Sequence, residues 1–170
     1  MDSKTVTMKG KPLTLVGGQV KVGDSAPDFE VLANDLTPVK LSAFRGKVVV
    51  ISSVPSLDTA VCDLQTRKFN EQAAALGDGV AVLTISMDLP FAQKRWCGAA
   101  GIENLQTLSD YRNAEFGRAF GLLIQELRLL ARAVFVVDAD GIVRYKQIVS
   151  ELTKEPDYDS AVKAAKEAIK

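Results

Sequence analysis

The 170-residue chain contains no histidine. That one absence removes serine–histidine–aspartate triads, cysteine–histidine dyads and the HExxH metal helix together. Cysteine is scarce, with only Cys62 and Cys97. Without histidine they make a poor zinc set, because a structural zinc takes four nitrogen or sulfur ligands. No metal site and no cofactor is expected.

Net charge is absent too, since 21 Lys and Arg balance 21 Asp and Glu and no basic block appears. Binding to nucleic acid or to an anionic membrane surface is not expected from such a balance. No apolar run approaches the ~20 residues that cross a bilayer. The first residues, MDSKTVTMKGKPLTLVGG, lack the apolar segment and small-residue cleavage site of a secretory signal, so a cytoplasmic setting is expected. In that compartment two cysteines read as reduced, catalytic or redox-active rather than as a structural staple.

What is present suits one globular domain over residues 1–170, with 47% hydrophobic and 25% charged residues. Residues 4–8 and 12–16 flank the turn KGK and predict an N-terminal hairpin occupying about residues 1–20. A short strand is expected at 29–33, and a helical turn at LSAFRGK closed by Gly46. KVVVISSV at 47–54 carries consecutive β-branched residues, the pattern of a strand covered on both faces. Residues 60–76 place Cys62, Phe69, Ala73 and Leu76 on one side of a helical wheel. GVAVLTIS at 79–86 supplies a second buried strand, which completes a right-handed βαβ unit.

A second helix is expected after Asp88, its candidate N-cap, with Pro90 in the first turn and Gly98 and Gly101 bracketing its end. Cys97 falls in its last turn. A short helix at 113–122, a hairpin formed by 132–138 and 142–149 around ADG, and a C-terminal amphipathic helix complete the reading. The expected class is α/β, with a mixed sheet flanked by helices.

Cys62 admits two readings. Free cysteine is among the most buried residue types, and Cys62 lies on the apolar face of its helix, so it can be an inert core residue. Pro55 can simply end a strand and Thr59 simply cap a helix. The same position also puts the sulfur near free N–H groups at the positive end of a helix dipole. That dipole supplies about 0.3–1 kcal/mol, under one pKa unit, so a stable thiolate needs a cation as well. Arginine suits a buried site because it stays charged. Arg132, which opens an otherwise apolar strand, is the candidate.

The spacing Pro55-x-x-x-Thr59-x-x-Cys62 resembles the PxxxTxxC active-site signature of peroxiredoxins. PSLDTAVCDLQTRKFN, LPFAQKRWCGAAGIENLQTLSDYR, LLARAVFVVD and TKEPDYDSAVKAAK follow in the order seen in the thiol peroxidase branch of that family. The resemblance runs nearly end to end and implies a thioredoxin-like fold with an added N-terminal hairpin. It implies that Cys62 is the peroxidatic cysteine, which attacks the peroxide and becomes a sulfenic acid. It assigns Thr59 the hydroxyl that bonds thiolate and peroxide, Pro55 the shielding of the pocket, and Arg132 the stabilising guanidinium.

By the same resemblance Cys97 is the resolving cysteine of an atypical two-cysteine enzyme, closing an intramolecular Cys62–Cys97 disulfide that thioredoxin reduces. A homodimer acting on hydrogen peroxide or organic hydroperoxides is implied as well. Cysteines on separate helices should lie beyond the ~7 Å Cα separation of a disulfide, so turnover calls for local unfolding at the Gly98–Gly101 end of the second helix. Trp96, next to Cys97, is expected to report on the redox state without touching the chemistry. Two rival classes stand beside this one: a thiol–disulfide oxidoreductase, which would normally carry a CxxC absent here, and a redox-sensing interaction protein.

Overall fold

The computed structural model describes residues 4–169. Strands β1 (Thr5–Met8) and β2 (Lys11–Val16) form the expected antiparallel hairpin, with Met8 opposite Lys11. Lys9 and Gly10 both have positive φ, 52° and 82°. That is the geometry a two-residue hairpin turn needs to match the strand twist. Of the expected 1–20 span, residues 1–3 lie outside the described residues.

β3 (Glu30–Leu32) is followed by β4 (Pro38–Lys40), a 3₁₀ turn at Leu41–Phe44 and β5 (Val48–Ser53). Helix α1 (Ala60–Leu76) leads to β6 (Val80–Ser86), and α2 (Pro90–Ala100) leads to β7 (Gln106–Ser109). Then come α3 (Glu115–Phe120), β8 (Leu123–Ile124), β9 (Leu129–Leu130), β10 (Ala133–Val137), β11 (Val143–Ile148) and α4 (Tyr158–Ala168).

Seven strands make one sheet in the order β11-β10-β5-β6-β7-β3-β4. Its centre, β5-β6-β7, is parallel because helices α1 and α2 cross over between those strands, and the flanking pairs are antiparallel. The hairpin joins β8 and β9 in a separate four-stranded sheet. Strand alternation sorts the core into two sides. Val48 and Val50 of β5 and Val134 and Val136 of β10 pack with Phe69 of α1 and Ala161 and Ala165 of α4. Val49, Ile51 and Phe135 face the opposite way, toward Phe29, Phe116, Phe120 and the hairpin's Val6, Leu13 and Leu15. Where the chain leaves the hairpin, Gly18 and Gly121 meet so closely that a Cβ on Gly121 would lie 2.1 Å from the Gly18 carbonyl oxygen.

Two boundary expectations need correction. Leu89, not Asp88, occupies the N-cap of α2, and no side chain caps that end; the Asp88 carboxylate is engaged elsewhere, as described below. Gly98 lies inside α2, and only Gly101 ends it, in a left-handed conformation with φ 69°. Strands β4, β7, β8 and β9 had no counterpart in the pattern reading. Each has two to four residues, too few to display a period.

Asp110 shows what this packing does to a charge. Its carboxylate accepts from the Phe116 and Gly117 N–H groups at 3.1 and 2.8 Å. Burial nevertheless pushes the group up to about 6, from an ordinary value of 3.8. Between those values the folded chain binds the proton more tightly than the unfolded chain. Stability from this group is therefore complete below about pH 4 and is lost as pH rises through about 6. Urea unfolding across that window should show this negative slope, and Asp110→Asn should flatten it.

Candidate active site

β5 runs to Ser53 at the edge of the parallel core, and the chain then turns through residues 54–59 before α1 begins. The Val54 N–H reaches back to the Ile85 carbonyl at 3.1 Å. Asp88 fastens the rest of the loop to β6 and α2. Its carboxylate accepts from Ser56 Oγ at 2.7 Å, the Leu57 N–H at 2.8 Å and Ser86 Oγ at 2.7 Å. A carboxylate just ahead of a Pro-initiated helix fits a cap or a loop anchor equally well by sequence, and here two loop donors and the Ser86 hydroxyl of β6 hold it.

Cys62 sits on the third residue of α1, wholly buried, against Val54, Leu57 and the half-buried Trp96 ring. Its Sγ accepts from Nη2 of Arg132 at 3.3 Å. Arg132, immediately before β10, is only 2% exposed. The rest of its fork is occupied by neutral acceptors. Nη1 donates to Gln65 Oε1 at 2.9 Å, while Nε and Nη2 both reach the Leu152 carbonyl, at 3.0 and 2.7 Å. Gln65 is in turn fixed by donating to Ser52 Oγ on β5 at 2.7 Å.

Among the described residues no carboxylate pairs with Arg132. A buried, uncompensated cation is costly. Of its partners, only the Cys62 sulfur can carry a full negative charge. The pair therefore sets a sulfur against an unneutralised guanidinium in a buried enclosure, where electrostatic attraction is strong.

Pro55 is buried in the loop that leads to α1, next in the chain to Val54, and Thr59 is the exposed N-cap residue of α1. The Thr59 hydroxyl donates to the Ser56 carbonyl at 3.0 Å, so in this arrangement it neither caps the helix nor bonds the sulfur. Cys97 stands apart. Its Sγ lies 3.3 Å from Thr107 Oγ1, whose own proton goes to Asn34 Oδ1 at 3.0 Å. The Cys97 S–H is therefore the donor. Both cysteines are free.

The geometry thus brings Cys62 and Arg132 together, leaves Pro55 buried in the loop before α1, and keeps Cys97 on a different helix. It also corrects one expectation: Trp96 is part of the wall around Cys62, with the Arg67 guanidinium 5.7 Å from its ring centre. Two groups that support Arg132 escaped the pattern reading. Gln65 was within reach of it, being a polar residue one turn from Cys62 on the buried face. The Leu152 carbonyl was not, because backbone groups leave no mark on sequence.

The redoxin family model matches residues 21–162. The chain belongs to the redoxin family, in its thiol peroxidase branch. It is 62% identical over 165 residues to the thiol peroxidase of Halalkalibacterium halodurans, covering 97% of this chain and 99% of that one. The thiol peroxidase of Bacillus subtilis is 59% identical, with 97% and 98% covered. The crystal structure of a peroxiredoxin-like protein from Aquifex aeolicus superposes with a TM-score of 0.92 at 47% identity, covering 98% of each chain. The fold is accordingly the thioredoxin-like peroxiredoxin fold with its N-terminal hairpin. Within this redoxin, among the described residues, no helix is long and apolar enough to cross a membrane.

Trp96 is the sole tryptophan, and its packing on the cluster that holds Cys62 makes its emission a probe of the site. Peroxide treatment should change that emission; an unchanged spectrum would rule out repacking of the α2 end. Asp88→Ala strips an acceptor from three donors and should cost roughly 1–3 kcal/mol in urea unfolding followed at Trp96.

Proposed function

We propose that the chain reduces hydrogen peroxide and organic hydroperoxides through Cys62. The observation that carries this reading is the buried Arg132 guanidinium, 3.3 Å from Cys62 Sγ and without a carboxylate partner among the described residues. The thiolate attacks the terminal peroxide oxygen. An S–O bond forms as the O–O bond breaks, the sulfur is oxidised to a sulfenic acid, and the departing alkoxide or hydroxide takes a proton from solvent. Arg132 stabilises the charge as it moves from sulfur to the leaving oxygen, a task suited to a positioned donor. Pro55, Val54, Leu57 and Trp96 keep water from the sulfur. Thr59 exchanges its bond to Ser56 for one to the entering peroxide.

Cys97 then attacks the Cys62 sulfenic acid, an S–S bond forms and water leaves. Without that step a sulfenic acid is open to irreversible over-oxidation. Thioredoxin, by dithiol exchange, returns both thiols. The approach of Cys97 requires α2 to give way at its Gly101 end, where the Cys97 carbonyl accepts from the Gly101 and Ile102 N–H groups. The same family membership supports a cytoplasmic homodimer, with the whole chain acting as one domain.

Stopped-flow peroxide consumption tests this. Cys62→Ser should be inactive, and normal activity in that variant would sink the reading. Cys97→Ser should form one equivalent of sulfenic acid and then lose thioredoxin-linked turnover. Arg132→Lys should slow the peroxide step roughly tenfold or more with the fold retained, because lysine keeps the charge but loses the planar fork.

A further inference from the structure

The redoxin match begins at residue 21, so the hairpin at 5–16 lies outside it, yet that hairpin reaches the active site through one turn of chain. Arg132 leans on the Leu152 carbonyl with two of its nitrogens, at 3.0 and 2.7 Å. Leu152 lies beyond β11, in a segment of non-helical, non-strand backbone that leads to α4. Such a segment holds its shape only where something fixes it.

β1 supplies the fixing. The Thr7 N–H donates to the Ser150 carbonyl at 2.7 Å, and the Leu152 N–H donates to the Thr7 carbonyl at 2.8 Å. Thr7 and Glu151 form an isolated parallel bridge. The Glu151 side chain locks both partners. Its Oε1 accepts from Thr7 Oγ1 at 2.9 Å and from the Gly10 N–H at 3.0 Å, while Oε2 accepts from the Thr153 N–H at 2.9 Å and Thr153 Oγ1 at 2.7 Å. These donors, the Thr153 hydroxyl foremost, hold the carboxyl well below the usual range, so it remains ionised.

The residue before the supporting carbonyl is thus tied to the hairpin on one side and to its own turn on the other. We propose that Glu151 and Thr7 are positioning residues for the peroxide reaction: they hold the Leu152 carbonyl where it aims Arg132 at Cys62. Gln65 supports the same guanidinium from the α1 side, and the hairpin supports it from the other. Removing the hairpin-side clamp leaves the charge in place but frees its direction, and direction is what a positioned donor contributes.

The proposal rests on the Arg132 role given above, and the experiment separates the two. Glu151→Ala, Glu151→Gln, Thr7→Val and Arg132→Lys are compared in the second-order reaction with hydrogen peroxide, with circular dichroism as the check on folding. Glu151→Ala should slow the reaction roughly fivefold to tenfold and move the pH profile of Cys62 alkylation, read in a Cys97→Ser background, toward higher pH. Glu151→Gln, which keeps a carbonyl acceptor, should recover part of the loss.

The double variant Glu151→Ala with Arg132→Lys should be no slower than Arg132→Lys alone, since both act through one guanidinium. Additive losses would overturn the proposal. If Arg132→Lys is slow and folded Glu151→Ala reacts at the unaltered rate, the proposal falls and the Arg132 reading stands. If Arg132→Lys is itself unaltered, the Arg132 reading falls and takes the proposal with it. Should Glu151→Ala fail to fold, Thr7→Val decides, because it removes only the hydroxyl's bonds to Glu151 Oε1 and the Ser150 carbonyl and leaves the β1 backbone bonds: a loss of twofold or more with the same alkylation shift supports the proposal, and an unaltered rate and profile overturn it.

Discussion

A guanidinium that stays charged has been placed where water does not reach, and the structure is arranged around satisfying it. Arg132 is 2% exposed, and its fork touches a side-chain amide, a backbone carbonyl and a sulfur. Neutral acceptors stabilise a buried cation only in part. The sulfur completes the set if it is ionised, so cation and thiolate each make the other tolerable in the interior. Neither needs a histidine, which fits a chain that has none.

This constraint reaches outward through bonds of ordinary length. Gln65 must be oriented to face Arg132, and Ser52 at the end of β5 orients it. The Leu152 carbonyl must stay in place, and β1 bonds the residues around it. Both Ser52 and the strand that Arg132 precedes belong to the central sheet, in adjacent antiparallel strands where Val134 pairs with Ser52. The sheet therefore sets the separation of helix and cation before any side chain adjusts. Placing the pair on rigid elements limits the geometric freedom that a loop-borne cation would have.

Legibility in the sequence followed the length of each signal. Helix α1 and strands β5, β6, β10 and β11 were readable because runs of five to seventeen residues repeat a period or a β-branched pattern, and the ADG turn joins the last two. β8 and β9 have two residues each and exist because β2 offers an edge, a tertiary cause that no local pattern carries. In the site, Arg132 was conspicuous as a charge at the head of an apolar strand. Asp88 was ambiguous because caps and loop anchors draw on the same residue types. Trp96 was misjudged because its neighbour in sequence is one cysteine while its neighbour in space is the other. The Leu152 carbonyl was invisible, since any residue would supply it.

The two sulfurs are held unequally, and the inequality orders the cycle proposed for them. Cys62 is buried and bonded to a cation, whereas Cys97 is half-buried and donates one weak bond to Thr107. Before oxidation, drawing Cys62 outward would break its bond to Arg132, while releasing Cys97 gives up one thiol bond and the end of a short helix. Oxidation to a sulfenic acid removes the charge from the sulfur. The attraction that held the first turn of α1 inward then weakens at the moment when the second thiol must approach. Trp96 lies between these events: it packs on the cluster that holds Cys62 and adjoins Cys97 in the chain, so in the proposed cycle the approach of the second sulfur moves the ring as well.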